Sequence, residues 1–280
     1  MRGRVVMKQV ELHHGAATDV GLVREVNEDS YLAAPPVFVV ADGMGGHEGG
    51  DVASRIVVEE FGRLATDGYD PRRGVDAVTA TLAACQERIT EYAGVQRAEG
   101  VARGRSAGTT VVAALLIEDD DGPAWLLVNL GDSRIYRYAD RRLTQVSVDH
   151  SLVQALVDAG RIGADEVATH PERNVITRAL GDSTGGPADF FVVSLADAER
   201  LLLCSDGVSG PVGDADVAEI LGACPDPRDA ADRLVAAALE AGGEDNATAV
   251  VVDVVGWAPE SGYDSERQRA SLEEKLGARP

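Results

Sequence analysis

Residues 109–130 read TTVVAALLIEDDDGPAWLLVNL. Two apolar runs, 109–118 and 124–130, flank a short acidic turn that ends in glycine. A link this short joins neighbouring antiparallel strands, because a parallel crossover needs a dozen residues or more. The same kind of run recurs outward from this hairpin: VFVVAD (37–42), RIYRY (134–138), DFFVVSL (189–195), RLLLCS (200–205) and ATAVVVDVV (247–255). YADR after RIYRY is a second tight-turn signal. Helical period is confined to fewer segments. In GVDAVTATLAACQERITEYAG (74–94), Val75, Val78, Leu82, Cys85, Ile89 and Tyr92 alternate spacings of three and four. In PRDAADRLVAAALEAGG (227–243), Leu234, Val235, Ala238 and Leu239 make one face and Gly242-Gly243 the stop. GGDVASRIVVEEFGRLA (49–65) predicts a third helix. Strands cluster and helices cluster, which predicts a layered α+β domain and not a doubly wound parallel sheet.

The composition bounds the function. With 45% hydrophobic residues, the 280-residue chain can bury a sizeable core. Its formal net charge of -21 repels phosphate backbones and anionic headgroups, so neither nucleic acid nor a membrane is the expected partner. Cys85, Cys204 and Cys224 are widely spaced and form no CxxC, which reads as free, buried thiols in a reducing compartment. The basic N-terminus, MRGRVVMKQVELHHG, lacks the apolar core of a signal peptide, and no stretch is long enough to span a bilayer. The expectation is a cytoplasmic protein with one domain over 9–256 and a charged, poorly ordered tail over 257–280.

Several apolar runs end in a carboxylate. VFVVADG ends in Asp42-Gly43, LLLCSDG in Asp206-Gly207 and LLVNLGDSR in Asp132, while Asp245 precedes ATAVVV. A lone Asp-Gly is usually a turn or helix cap. Several carboxylates at one rim of a sheet would repel each other and would need protons or a cation to coexist. Hard divalent ions such as Mg²⁺ or Mn²⁺ suit an oxygen-only donor set. Glycine at 43 would let its carbonyl approach such an ion. Zinc is disfavoured by the lack of a His/Cys cluster, and the loop is no nucleotide cradle, since a GxGxxG reading from Gly43 fails at Glu48 and no GxxxxGK[ST] occurs. In TDVGLVREVNEDSYL (18–32), Arg24 precedes Glu28-Asp29. Arginine suits a bidentate grip on phosphate, although the segment by itself favours a surface ion pair with Glu25 or Glu28.

TDVGLVREVNEDS, VVADGMGG, SAGTT, NLGDSR, DHSLVQALVDAGRI, HPERNVITRALGD, LLCSDGVSG and DNATAVVV follow one another across residues 18–252. Together they resemble the bacterial form of the metal-dependent serine/threonine protein phosphatases, the protein phosphatase 2C family. The resemblance implies a four-layer sandwich of two antiparallel sheets flanked by helices, with a flap subdomain over about 147–180 in which ALVDAG and ADEVATH form short helices. It implies two Mn²⁺ or Mg²⁺ ions and a third, weaker site. Asp42 would bridge the pair, the Gly43 carbonyl would bind one ion, and Asp206 and Asp245 would complete the other. Glu28 would reach a metal directly or through water, Asp29 would bond metal-held water, and Asp132 with Asp206 would hold the third ion. Arg24 would grip phosphate, which displaces the ion-pair reading.

The implied chemistry is direct attack of a metal-bridging water on phosphoserine or phosphothreonine in proteins, with no phosphoenzyme. Cys204 is then core, and His13, His14, His150 and His170 are structural. Some family members carry a histidine, as general acid, where this chain has Met44, which donates no proton; His47, three residues on, reads as solvated, and metal-held water is the other proton source. The alternatives are a metal-binding module that captures phosphoprotein without turnover, or a phosphatase of a dedicated regulator or small phosphate ester. The implied partners are phosphoproteins, with a serine/threonine kinase and its substrates.

Overall fold

The structure is a computed structural model that describes residues 10–45, 49–99, 107–119, 122–182 and 186–257. Its elements in chain order are β1 (Val10–Asp19), β2 (Ser30–Ala34), β3 (Val37–Ala41), β4 (Gly43–Met44), α1 (Gly50–Thr66), α2 (Gly74–Ala98), β5 (Gly108–Thr109), β6 (Val111–Asp119), β7 (Gly122–Leu130), β8 (Arg134–Ala139), β9 (Arg142–Gln145), α3 (Leu152–Asp158), β10 (Asp189–Ser194), β11 (Arg200–Cys204), α4 (Asp206–Ser209), α5 (Asp214–Ala223), α6 (Pro227–Glu240) and β12 (Ala247–Trp257). Short 3₁₀ helices cover Pro71–Arg73, Ala164–Thr169 and Leu195–Asp197.

Among the described residues, two five-stranded antiparallel sheets are ordered β1-β12-β11-β8-β9 and β10-β7-β6-β3-β2. The 109–130 hairpin is the pair β6–β7, in register from Val111 opposite Leu130 to Asp119 opposite Gly122. Asp140 and Arg141, both at positive φ, make the tight turn between β8 and β9 that YADR signals.

The inner strands are continuous apolar runs because both of their faces are covered. In β6, Val111, Ala113, Leu115 and Ile117 face the cluster that also holds Val57 and Phe61 of α1 and Val78, Cys85 and Ile89 of α2. Val112, Ala114 and Leu116 face the opposite sheet, where Leu201 and Leu203 of β11 and Val250 and Val252 of β12 meet them. The other faces of β11 and β12, through Leu202, Cys204, Ala249 and Val251, pack on α5 and α6. The layers thus run helix, sheet, sheet, helix, as the resemblance implies.

The predicted helices are present, with two adjustments. Helix α2 extends past Gly94 to Ala98, and Val75 in its first turn is exposed and not part of the buried face. Helix α6 starts at Pro227 behind Asp226, whose side chain accepts from the Arg228 amide, and it ends where the Gly243 amide donates to the Ala238 carbonyl. Cys85 and Cys204 are buried free thiols, while Cys224 is only half-buried. The tail from 258 onward lies outside the described residues.

Candidate active site

The carboxylates meet at one end of the sandwich. Asp42 follows β3, and its backbone is pinned on both sides. Its amide donates to Thr110 Oγ1 at 3.0 Å, and its carbonyl accepts from the Thr110 amide at 2.9 Å and from Thr109 Oγ1 at 2.9 Å. Asp206 opens α4 at the end of β11, and its charge bears on the Asp42 carboxyl. Asp132 sits in the loop between β7 and β8, and its charge bears on Asp42. Asp29 is 9% exposed and its Oδ2 accepts from Ser205 Oγ at 2.7 Å. Glu28 and Asp245 stand at the rim.

Both Asp-Gly glycines answer a demand for space. A Cβ on Gly43 would run into the Gly50 and Glu28 carbonyls, and one on Gly207 would run into the Asn246 carbonyl. Glycine after the aspartate lets two chain segments touch, so that carboxylates from five parts of the chain can share one corner. Asn246 ties these segments further. Its Nδ2 donates to the Val20 and Val26 carbonyls at 2.9 and 3.0 Å, and its Oδ1 accepts from the Glu28 amide at 2.8 Å.

The electrostatics follow from burial and like charge. Burial, then the Asp29, Asp206 and Asp132 charges, hold the Asp42 carboxyl well above the usual carboxylate range. Burial, then Asp245, raises Asp206. Burial, then Asp206 and Asp149, pushes Asp132 up to about 8. Burial, followed by the Asp206 and Asp245 charges, pushes Asp29 up to about 7 against hydrogen bonds from Thr248 and Ser205. Glu28 is raised by burial and Asp51, with Arg24 pulling the other way. The cluster cannot stay fully ionised without positive charge.

Arg24 Nη2 donates to Asp245 Oδ2 at 2.7 Å, so its ion-pair partner is Asp245, where the segment alone pointed to Glu25 or Glu28. Both side chains are open to solvent. Among the described residues, no three His, Cys, Asp or Glu side chains stand arranged to hold one metal ion. Two buried carboxylate oxygens, Asp29 Oδ1 and Asp132 Oδ1, nevertheless have no hydrogen-bond partner. An all-oxygen donor set with unpartnered oxygens and suppressed ionisation fits hard divalent ions that take few protein ligands and keep most of their waters. Met44 pairs with Gly108 beside Asp42, and His47 lies outside the described residues.

Some residues that build the site were not singled out for it in the sequence. Thr109 and Thr110 fix Asp42, and Thr110 Oγ1 also bonds Ser133 Oγ at 2.7 Å, which ties Asp42 to the loop of Asp132. Their signal is two hydroxyls heading an otherwise apolar strand. His150 is a buried hub. Its Nδ1 accepts from the Gly131 amide at 3.1 Å and its amide donates to the Gly131 carbonyl at 2.9 Å. Its Nε2 lies 3.1 Å from both Asp189 Oδ2 and Arg178 Nη1. The structural role read for His150 is therefore specific: it holds the loop of Asp132.

A two-sheet α+β sandwich with carboxylates gathered at its rim is the architecture of the protein phosphatase 2C family, and the chain belongs to that family: the model described as protein phosphatase 2C matches residues 24–240. Its relatives are the bacterial serine/threonine enzymes. It is 40% identical over 252 residues to the serine/threonine protein phosphatase PstP of Mycobacterium tuberculosis, covering 88% of this chain and 46% of that protein. It is 34% identical over 250 residues to the serine/threonine phosphatase stp of Listeria monocytogenes, covering 86% of this chain and 96% of that one. The crystal structure of the PstP catalytic domain in complex with two manganese ions superposes with a TM-score of 0.73 at 38% identity, covering 88% of this chain and 99% of that one. The chain spans about half the length of the mycobacterial relative.

Proposed function

We propose that this chain is a serine/threonine protein phosphatase that hydrolyses phosphomonoesters by direct attack of water. The observation that carries this reading is a buried cluster of carboxyls, Asp29, Asp42, Asp132 and Asp206, in which two oxygens, Asp29 Oδ1 and Asp132 Oδ1, lack partners and burial and like charge suppress ionisation. Asp42, the Gly43 carbonyl, Asp206 and Asp245 would hold a pair of Mn²⁺ or Mg²⁺ ions, Asp132 with Asp206 a third, and Glu28 would act at the rim, with Asp29 bonding coordinated water. Such ions supply Lewis acidity, which makes water a nucleophile near neutral pH.

The chain's own residues do the rest. The hydrogen bonds on either side of Asp42 leave its backbone no freedom, so the carboxylate is placed before substrate arrives. Arg24 is exposed enough to leave Asp245 and turn its guanidinium to two phosphoryl oxygens, where it offsets charge gathering in the transition state. Asp245 is then released from its ion pair and free to serve as a ligand. The 147–180 segment, with α3 and the Ala164–Thr169 turn, is the flap: its ends are held by Ser151 bridging to Ile176 and Leu180 to Thr109. Phosphoproteins are the substrates, a serine/threonine kinase supplies them, and the cytoplasm is the place of action. No helix among the described residues is long and apolar enough to cross a membrane.

The test is turnover of p-nitrophenyl phosphate and a phosphothreonine peptide with Mn²⁺ added to chelator-treated protein. Activity that appears with metal and disappears in Asp42→Ala supports the reading. Binding of phosphopeptide without release of phosphate would make the chain a capture module instead.

A further inference from the structure

The loop between β1 and β2 is fixed by its backbone and turned outward by its side chains. The Leu22 amide donates to the Gly243 carbonyl at 2.7 Å. Asn246 holds the Val20 and Val26 carbonyls and the Glu28 amide. Gly21 has a φ of 82°, and a Cβ there would collide with the Asp245 carbonyl, so the backbone fits closely against the residues it meets. Yet Leu22, Val23 and Val26 are 71%, 66% and 54% exposed. Apolar side chains in water on a stapled loop are a preformed contact surface, with little ordering cost left to meet on binding. Arg24 lies in their midst and reaches Asp245.

We infer that Leu22, Val23 and Val26 form a specificity-determining surface that takes apolar side chains flanking the phosphorylated residue of a protein substrate. This rests on the hydrolase reading of the site and deepens it. Continuity identifies the occupant. A phosphoryl group gripped by Arg24 brings the residues on either side of it over this loop, because an extended chain advances only about 3.3–3.6 Å per residue. Charge sets a second condition. Glu25 and Glu244 are exposed next to these side chains and the whole chain carries -21, so basic residues farther along the substrate complement the surface and acidic ones oppose it.

The test uses the full chain with Mn²⁺ and two phosphothreonine peptides of equal charge. One has leucine and valine beside the phosphothreonine, the other serine. The wild type should cleave the apolar peptide with a kcat/KM about five- to tenfold higher. The triple variant Leu22→Ser, Val23→Ser, Val26→Ser should bring that ratio to about one. It should turn over p-nitrophenyl phosphate, which has no flanking residues, at the wild-type rate. Leu22 lies against Gly243, so Val23→Ser alone is the second variant, and it should remove part of the preference with no change in fold. A wild type indifferent to the flanking residues, or variants that keep the preference, would overturn the inference. A wild type that cleaves neither the peptides nor p-nitrophenyl phosphate defeats the hydrolase reading. Fluorescence anisotropy with the same peptides then decides: tighter binding of the apolar peptide, lost in the variants, upholds the surface, and equal affinity overturns it. A concentration-dependent dimer dissolved by the triple variant, with no peptide preference in the wild type, would assign the patch to a second copy of the chain and overturn it as well.

Discussion

Removing divalent cations and raising the pH should weaken the fold, and the buried carboxyls set the size of the effect. Asp29 is pushed up to about 7 by burial and by its charged neighbours, and Asp132 up to about 8. An unfolded aspartate titrates near about 3.9. Between those values the folded chain keeps protons that the unfolded chain has released. Their contribution to stability is therefore full below about pH 4 and drains away as pH rises through about 7 and 8. At about 1.36 kcal/mol per pH unit, Asp29 alone gives up about 3 kcal/mol between about pH 5 and pH 8. For a domain of this size that lowers Tm by about 6–12 °C. Asp29→Asn has no charge to bury and can still accept from Ser205, so it should remove the Asp29 share of the pH slope and leave that of Asp132. Cations compete with protons for the same oxygens, so saturating Mn²⁺ should raise Tm more at about pH 8 than at about pH 5. Differential scanning calorimetry in chelator and in Mn²⁺ across this range measures both effects. A metal-free Tm that is flat or climbs with pH, or a Mn²⁺ shift of one size throughout, would refute the reasoning.

Further expectations can be checked alongside. Asp42→Ala and Asp206→Ala should each lower kcat by at least about a hundredfold, and calorimetric titration should show weakened Mn²⁺ binding. Arg24→Ala should raise KM for a phosphopeptide about tenfold or more while leaving Mn²⁺ binding intact, since it frees Asp245 without removing an oxygen. Thr110→Val strips the acceptor from the Asp42 amide and the partner from Ser133, at a cost of about 2–4 kcal/mol in urea denaturation together with slower turnover. Arg200→Leu leaves Asp253 unpaired and the Leu221, Cys224 and Pro225 carbonyls without their donor, a loss of about 3–5 kcal/mol with little effect on the kcat of any protein that remains folded.

The inner strands were legible because two covered faces make a continuous apolar run, and no polar residue has to alternate into it. The strand β1 was not legible. Its sequence, VELHHGAATD, mixes exposed polar residues with Gly15, which is there because α6 presses its backbone at Arg228 where a Cβ would stand. That packing is a relation between distant segments and has no local signature. Helix α5 escaped for a similar reason: only Val217 and Leu221 are buried, too few to show a period. The pairing order of the strands was equally closed to inspection, since β1 meets β12 across almost the whole chain. In the site, the aspartates announced themselves at strand ends. What could not be read was that Arg24 rests on Asp245, that paired threonines fix Asp42, and that His150 fastens the loop carrying Asp132, because each of these depends on the folded geometry.

The antiparallel pairing of β1 with β12 sets Val10 opposite Trp257 at one end and Asp19 opposite Ala247 at the other. Ten residues at about 3.3 Å each separate the two ends, so Val10 and Trp257 lie side by side about 30 Å from the carboxylates. A surface tether or fluorescent label attached at either position would leave the carboxylate cluster open.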